Sequence, residues 1–199
     1  MSKQFAHQEA IRQAIPKVRE VDLSVRCPAL GLSPPENGLI SLRAFGADFL
    51  LRLSDFQLLK AGSLESAKAS DRILVLHYLL CDVPLTPLHD LISFRGLPGG
   101  QFYWQPFLSR TVKPLMGRVG HDLEILRDHL QRFDWESVPM RDFGAKIHGI
   151  GKIFLFLVYH RGDDEFPPEM DVLFDASIKH VFSTEDAAVL ASRICLGLL

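Results

Sequence analysis

The longest apolar run in the chain is IFLFLVY, residues Ile153–Tyr159. A strand without polar residues needs cover on both faces, so this run predicts a strand at the centre of a sheet. The segments around it have the patterns of short strands and amphipathic helices, without regular alternation between the two. The sequence therefore predicts an α+β fold, a single compact domain with a mixed or antiparallel sheet packed against several helices.

The local patterns place the other elements along the chain. Two runs with period-two alternation, Leu39–Phe45 and Asp48–Ser54, predict a β-hairpin with one wet face. Further short strands are predicted at 21–25, 91–94, 143–147 and 172–174. Helices are predicted over 4–14 (ending before Pro16), up to Cys81, after Gly100, from Asp122 and after a cap at Ser183 or Thr184. One domain is expected over residues 1–199, with an N-terminal helix and hairpin portion over 1–62.

Charge and hydropathy exclude several classes of protein. The formal net charge is −2, and the 22 basic residues are spread along the chain, so a nucleic-acid partner is not expected. No apolar segment has the length of a spanning helix or the character of a signal peptide, so a cytoplasmic protein without a membrane partner is expected.

The three cysteines, Cys27, Cys81 and Cys195, are widely spaced and form neither a disulfide framework nor an Fe–S or zinc motif. No metal site is predicted, and any cofactor is unknown. His77 and Cys81 have the spacing of a helical metal pair, but no further ligands complete a set. A core histidine with a hydrogen-bond partner beside a buried thiol is the favoured interpretation.

The stretch Ser93–Arg110 is the predicted site, because it combines glycines, aromatic residues and two arginines. Its glycine turn, GLPGG at 96–100, lies between a predicted strand and a helix, where free N–H groups and the helix dipole favour an anion. The turn matches no named phosphate loop, so a purely structural role for the glycines stays open. Arg95 and Arg110 flank the turn and could hold a carboxylate, either of a ligand or of the protein itself.

Carboxylates follow two of the predicted strands. Asp163 and Asp164 come after the central strand, and Asp175 comes after the next one. We expect these groups at corresponding ends of neighbouring strands, where they could bind a hard cation or act as a general acid–base pair. An ordinary polar turn at 162–164 is the alternative.

Five segments occur in order over about residues 70–190: ILVLHYLL (73–80), SFRGLPGG (93–100), GDDEFP (162–167), LFDAS (173–177) and TED (184–186). Together they resemble an uncharacterised prokaryotic family, a domain of unknown function. The resemblance implies a setting in anaerobic bacteria and archaea, in Fe–S, corrinoid or one-carbon metabolism, because some members carry a separate Fe–S domain. Gly96 departs from the family's tendency towards an acidic residue, and Tyr159 stands where members often have Trp.

The leading prediction is a binding module for a small anionic ligand or for a partner protein. The residues expected on one side of its pocket are Arg95, Gly99, Gly100, Tyr103 and Arg110, with Asp163, Asp164 and Asp175 on the other side. The alternative is an enzyme in which one of these aspartates is a general base or metal ligand and Arg95 stabilises negative charge. A third hypothesis, an interaction protein without a pocket, predicts an exposed apolar patch at 102–104.

Overall fold

An eight-stranded sheet organises the fold in the computed structural model, which describes residues 3–199 and the side chains from Ala6 onward. The strands are β1 (Leu39–Ala44), β2 (Ala47–Arg52), β3 (Gln57–Lys60), β4 (Leu91–Ser93), β5 (Trp135–Val138), β6 (Phe143–Ile150), β7 (Ile153–His160) and β8 (Glu169–Asp175). Their order across the sheet is β3-β2-β1-β6-β7-β8-β4, and β5 also pairs with β6. Every pairing is antiparallel.

The helices complete an α+β single domain, which confirms the predicted class. They are α1 (Lys3–Arg19), α2 (Leu23–Ala29), α3 (Ala69–Leu79), α4 (Trp104–Arg110), α5 (Val112–Val119), α6 (Leu123–Leu130) and α7 (Thr184–Gly197). Met1 and Ser2, which the predicted domain includes, and the side chain of Phe5 lie outside the described residues. Within residues 3–199, none of the helices combines the length and the apolar character needed to cross a membrane.

The predicted central strand is confirmed, since β7 lies between β6 and β8. On one face of β7, Ile153, Leu155 and Leu157 are at most 3% exposed and belong to the hydrophobic core. The other face carries Phe154 and Phe156, which are only half-buried. The apolar run is therefore continuous although the core covers just one of its faces fully.

Two predictions at the N-terminal end are wrong. The residues at 21–25 do not form a strand, because the Asp22 carboxylate accepts the N–H of Ser24 and caps helix α2. Helix α1 also continues through Pro16 to Arg19. Its last turns include Val18, which is fully buried, and this packing outweighs the hydrogen bond that proline removes.

The predicted order of strand, glycine turn and helix is confirmed around residues 91–110. Strand β4 is followed by a 3₁₀ turn over Phe94–Gly96, and Gly99 then takes a left-handed conformation with a φ of 71°. A second 3₁₀ turn over Gly100–Tyr103 precedes helix α4. Helix α4 thus begins four residues after Gly100.

Candidate functional site

A stack of side chains connects the predicted site to the core. The rings of Phe94 and Phe107 lie parallel with centroids 4.1 Å apart, and Trp104 stacks on Phe107 at 5.7 Å. The guanidinium of Arg95 lies over Trp104, 4.5 Å from the ring centroid. Phe94 and Phe107 are buried, so the stack joins the glycine turn and helix α4 to the core.

Beside this stack, a groove of about 480 Å³ runs between α4 and α7. Tyr103, directly before α4, and Arg110, at the end of α4, both line this groove. The lining residues are Phe94, Tyr103, Pro106, Phe107, Arg110, Thr111, Thr184, Glu185, Ala188, Val189 and Ser192. The hydroxyl of Thr184 donates to the Pro98 carbonyl at 2.7 Å, which ties the start of α7 to the glycine turn.

The structure brings only some of the predicted ligand-binding residues together. Tyr103 and Arg110 share the groove, whereas Arg95 lies next to it on Trp104. Gly99 is exposed and Gly100 is buried, and neither lines the groove. A Cβ atom at Gly100 would collide with the Phe94 carbonyl oxygen, so this glycine allows close backbone packing. Anion binding by the turn itself stays a prediction.

The aspartates do not lie where the sequence suggested. Strands β7 and β8 are antiparallel, and His160 at the end of β7 pairs with Glu169 at the start of β8. Asp163 follows that end, whereas Asp175 lies at the far end of β8, roughly 20 Å along the strand. The expectation of corresponding strand ends is therefore wrong, because it assumed parallel strands.

Asp163 shapes the turn between these two strands. Its Oδ1 accepts the N–H groups of Glu165 and Phe166 at 2.9 and 2.8 Å. These bonds hold the pKa of Asp163 below its ordinary value. Asp163 therefore makes the polar turn that the sequence allowed as an alternative, and Asp164 is exposed in the same turn. A chemical role for either residue stays a prediction.

Asp175 anchors the segment that precedes β4. Its Oδ1 accepts the N–H groups of Leu88 and Ser177, and its Oδ2 accepts the N–H of His89 at 2.8 Å. Burial alone would raise the pKa of Asp175, but the bonds from Ser177 and the two loop N–H groups outweigh it and lower the pKa. The carboxylate thus stays ionised and fixes a loop beside the sheet.

A feature that the sequence analysis missed is the charge of residues 91–121. This segment contains Arg95, Arg110, Lys113 and Arg118 but no acidic residue. All four side chains are exposed, and none forms an ion pair within the described part of the chain. The signal in the sequence is the absence of acidic residues from this segment. Basic residues alone do not reveal it, because they are evenly spread along the chain.

Exposed aromatic side chains accompany these cations. Phe102 is 78% exposed and Tyr103 is 63% exposed, whereas Trp104 is half-buried in the stack. Two of the three residues predicted for an apolar patch are therefore on the surface. We call the surface formed by Arg95, Phe102, Tyr103 and Arg110 the basic–aromatic surface.

His77 contacts a carboxylate of the protein itself, and the three cysteines are buried. His77 Nδ1 lies 2.9 Å from Asp186 Oδ1, and residues 3–199 contain no cluster of metal-binding side chains. Cys27, Cys81 and Cys195 are free and buried. Burial raises the pKa of Cys27 to about 11 and that of Cys195 to about 12, so both stay protonated thiols near neutral pH.

Asp186 provides a prediction for acid stability. Burial alone would raise its pKa, but hydrogen bonds from His77 and Ser183 outweigh burial and hold the pKa below its ordinary value. Ionised Asp186 therefore contributes its full stabilisation to the folded state above the unfolded-state pKa of about 3.9. This contribution to the free energy of unfolding is lost as the pH falls through the lower folded-state pKa. We expect Asp186→Asn to flatten the acid limb of unfolding free energy against pH. Urea titrations from pH 5 downward check this.

Asp164→Asn is the control for that measurement, because it removes an exposed carboxyl from a turn. This variant should keep the acid limb of the wild type. An Asp186→Asn protein whose stability falls with acid as steeply as that of the wild type would contradict the prediction.

Comparison with known proteins places the chain in a family. A family model described as Domain of unknown function (DUF3786) matches residues 22–196. No curated protein and no solved structure matches the chain. The match begins before the hairpin of β1 and β2, so it covers more of the fold than the resemblance over about 70–190. The chain therefore belongs to the DUF3786 family.

Proposed function

We propose that this chain is a protein-interaction module whose basic–aromatic surface docks an acidic segment of a partner protein. One observation carries the proposal: Arg95 and Arg110, exposed cations without ion-pair partners in the described residues, lie before and after the exposed Phe102 and Tyr103 in the same segment of the chain. Large exposed aromatic residues beside arginine are typical of interface centres, where their burial supplies much of the binding energy.

The cations are suited to carboxylates. A guanidinium can hold a carboxylate through two parallel hydrogen bonds. The guanidinium of Arg95 lies over Trp104, a contact that restricts the motion of the side chain. Less conformational entropy is then lost when a partner binds.

The neighbouring groove adds room for an apolar side chain of the docked segment. Its floor includes Phe94, Phe107, Ala188 and Val189. Glu185 on the α7 side would repel a carboxylate there, so acidic residues of the segment would lie towards Arg110. The groove thus favours one orientation of the segment.

The proposed setting, an anaerobic organism with a partner in Fe–S, corrinoid or one-carbon metabolism, rests only on the family resemblance. An enzyme acting through two neighbouring carboxylates has less support, because Asp163 and Asp175 lie at opposite ends of β8. A small anionic ligand in the groove is an outcome that the test below distinguishes.

The test measures binding of a fluorescein-labelled peptide rich in Asp, Glu and Leu by fluorescence anisotropy. We expect the double variant Arg95→Glu/Arg110→Glu to weaken binding at least about a hundredfold, because each lost charged hydrogen bond contributes roughly 1.5–3 kcal/mol. Phe102→Ser should weaken binding as well, since it removes apolar contact area. Added salt should lower the affinity of the wild type.

Arg141→Glu is the matched control, because it reverses an exposed arginine in the turn between β5 and β6. It should bind the peptide as the wild type does. Equal loss in this control, or equal binding of a peptide with Asn and Gln in place of the acids, would overturn the proposal. Displacement by citrate at concentrations similar to the peptide would indicate a small-anion site instead, and tighter binding of oligo-dT would indicate single-stranded nucleic acid.

A further inference from the structure

A second groove, which we call the outer groove, lies on the sheet face that carries Phe154 and Phe156. These side chains alternate with the core residues of β7 and therefore project to the opposite face. The groove has a volume of about 340 Å³, within the usual range for small-molecule sites. Its lining residues are Pro87, His89, Leu91, Glu136, Val138, Lys146, Lys152, Ile153, Phe154, Phe156, Asp175, Ser177 and Ile178.

Side chains from paired positions of β5, β6 and β7 form the floor of the outer groove. Phe156 lies opposite Lys146 of β6, which in turn lies opposite Glu136 of β5. Lys146 Nζ is 2.6 Å from Glu136 Oε1 and 4.3 Å from the Phe154 ring centroid. This lysine is thus neutralised by its neighbour and pinned over one ring, and the floor between the strands is largely aromatic.

The loop before β4 forms the wall of the outer groove, and it is held in place. Asp175 accepts the N–H groups of Leu88 and His89, and His89 has a left-handed φ of 57°. A left-handed φ is uncommon for a residue other than glycine, and the hydrogen bonds to Asp175 hold the loop in this conformation. Asp175 is therefore a positioning residue for the wall, and the outer groove is formed before any ligand arrives.

One cation on the rim lacks a counter-ion. Lys152 Nζ donates to the Leu85 carbonyl at 3.3 Å, and no carboxylate of the described residues pairs with it. Glu136 forms an ion pair with Lys146, and the Asp175 carboxylate accepts backbone N–H groups while keeping its negative charge. Among the charged lining side chains, Lys152 is therefore the cation without a carboxylate partner.

We infer that the outer groove binds a flat aromatic carboxylic acid, with its ring on Phe156 and its carboxylate at Lys152. Aromatic floors favour flat rings because stacked contacts add to the burial of apolar area. A single unpaired ammonium at the rim selects one acidic group at the end of the ring system. The outer groove shares no lining residue with the groove between α4 and α7, so this inference does not depend on the proposed function.

The test is a titration with 2-naphthoate, followed by ¹H–¹⁵N NMR spectra of the full chain. We expect saturable shifts for residues of β6, β7 and the loop before β4. Lys152→Met keeps the aliphatic stem and should weaken binding about tenfold or more. Phe156→Leu keeps an apolar side chain but removes the aromatic face, and it should weaken binding about threefold to tenfold.

Two comparisons separate this site from non-specific binding. Naphthalene-2-carboxamide should bind the wild type more weakly than 2-naphthoate does, and Lys152→Met should abolish that difference. Arg12→Met, on α1 and outside both grooves, should leave 2-naphthoate binding unchanged. The inference is overturned if saturation is not reached, if the shifts fall on residues 102–110, or if both groove variants keep wild-type spectra and wild-type affinity.

Discussion

Arg193→Met should lower the free energy of unfolding by about 3–5 kcal/mol, the usual cost of removing one partner from a buried ion pair. Asp71 is 3% exposed near the start of α3, and Arg193 Nε on α7 donates to its two carboxylate oxygens at 3.0 and 3.3 Å. Methionine preserves most of the aliphatic stem but leaves the carboxylate buried without a cation. Urea unfolding at neutral pH measures the loss.

The double variant Asp71→Asn/Arg193→Met is the internal control, because it removes the charge that the single variant leaves unpaired. It should recover more than half of the lost stability. Arg12→Met, which breaks an exposed pair with Glu9, should cost far less stability than Arg193→Met. A double variant no more stable than Arg193→Met would show that lost packing, and not the unpaired charge, causes the effect.

Gly100→Ala should lower the free energy of unfolding by about 3 kcal/mol, at the upper end of the range for overpacking a close contact. The added Cβ would collide with the carbonyl oxygen of Phe94, and backbone cannot move aside as the end of a flexible side chain can. Phe94 stacks on Phe107, which also stacks on Trp104. A shift of Phe94 would therefore disturb these rings, and the near-UV circular dichroism should change too. Urea unfolding and the near-UV spectrum check both expectations.

Gly99→Ala is the matched control at the adjacent position. A Cβ there meets no atom within 4 Å, but the φ of 71° is strained for alanine. The cost should therefore be roughly 1–2 kcal/mol, with an unchanged aromatic spectrum. Equal losses in the two variants would mean that backbone conformation, and not close packing, explains the glycines of this turn.

Local chemistry predicted much of the fold. The alternation in 39–54 predicted the hairpin, and Asp122 caps α6 through the N–H of Glu124 as expected. Ser183 and Asp186 form a reciprocal cap at the start of α7, at one of the two predicted positions. Strands β3 and β5 were missed because four-residue segments carry too little periodicity to be recognised alone.

The candidate sites were predicted only where their residues lie close in the chain. Tyr103 and Arg110, seven residues apart, line one groove. The separation of Asp163 from Asp175 depends on the direction of β8 relative to β7, which no residue near either aspartate indicates. The outer groove likewise required the register between β6 and β7, since it brings Lys146 opposite Phe156.

The sequence by itself determined the alternation of the hairpin, the caps of α6 and α7 and the place of the glycine turn, because these follow from contacts within a few residues. Only the tertiary structure decided which way neighbouring strands run, which face of β7 the core covers and which cations lack counter-ions. Those outcomes depend on residues far apart in the chain, whose contacts repay the entropy of closing long loops only when the whole domain packs.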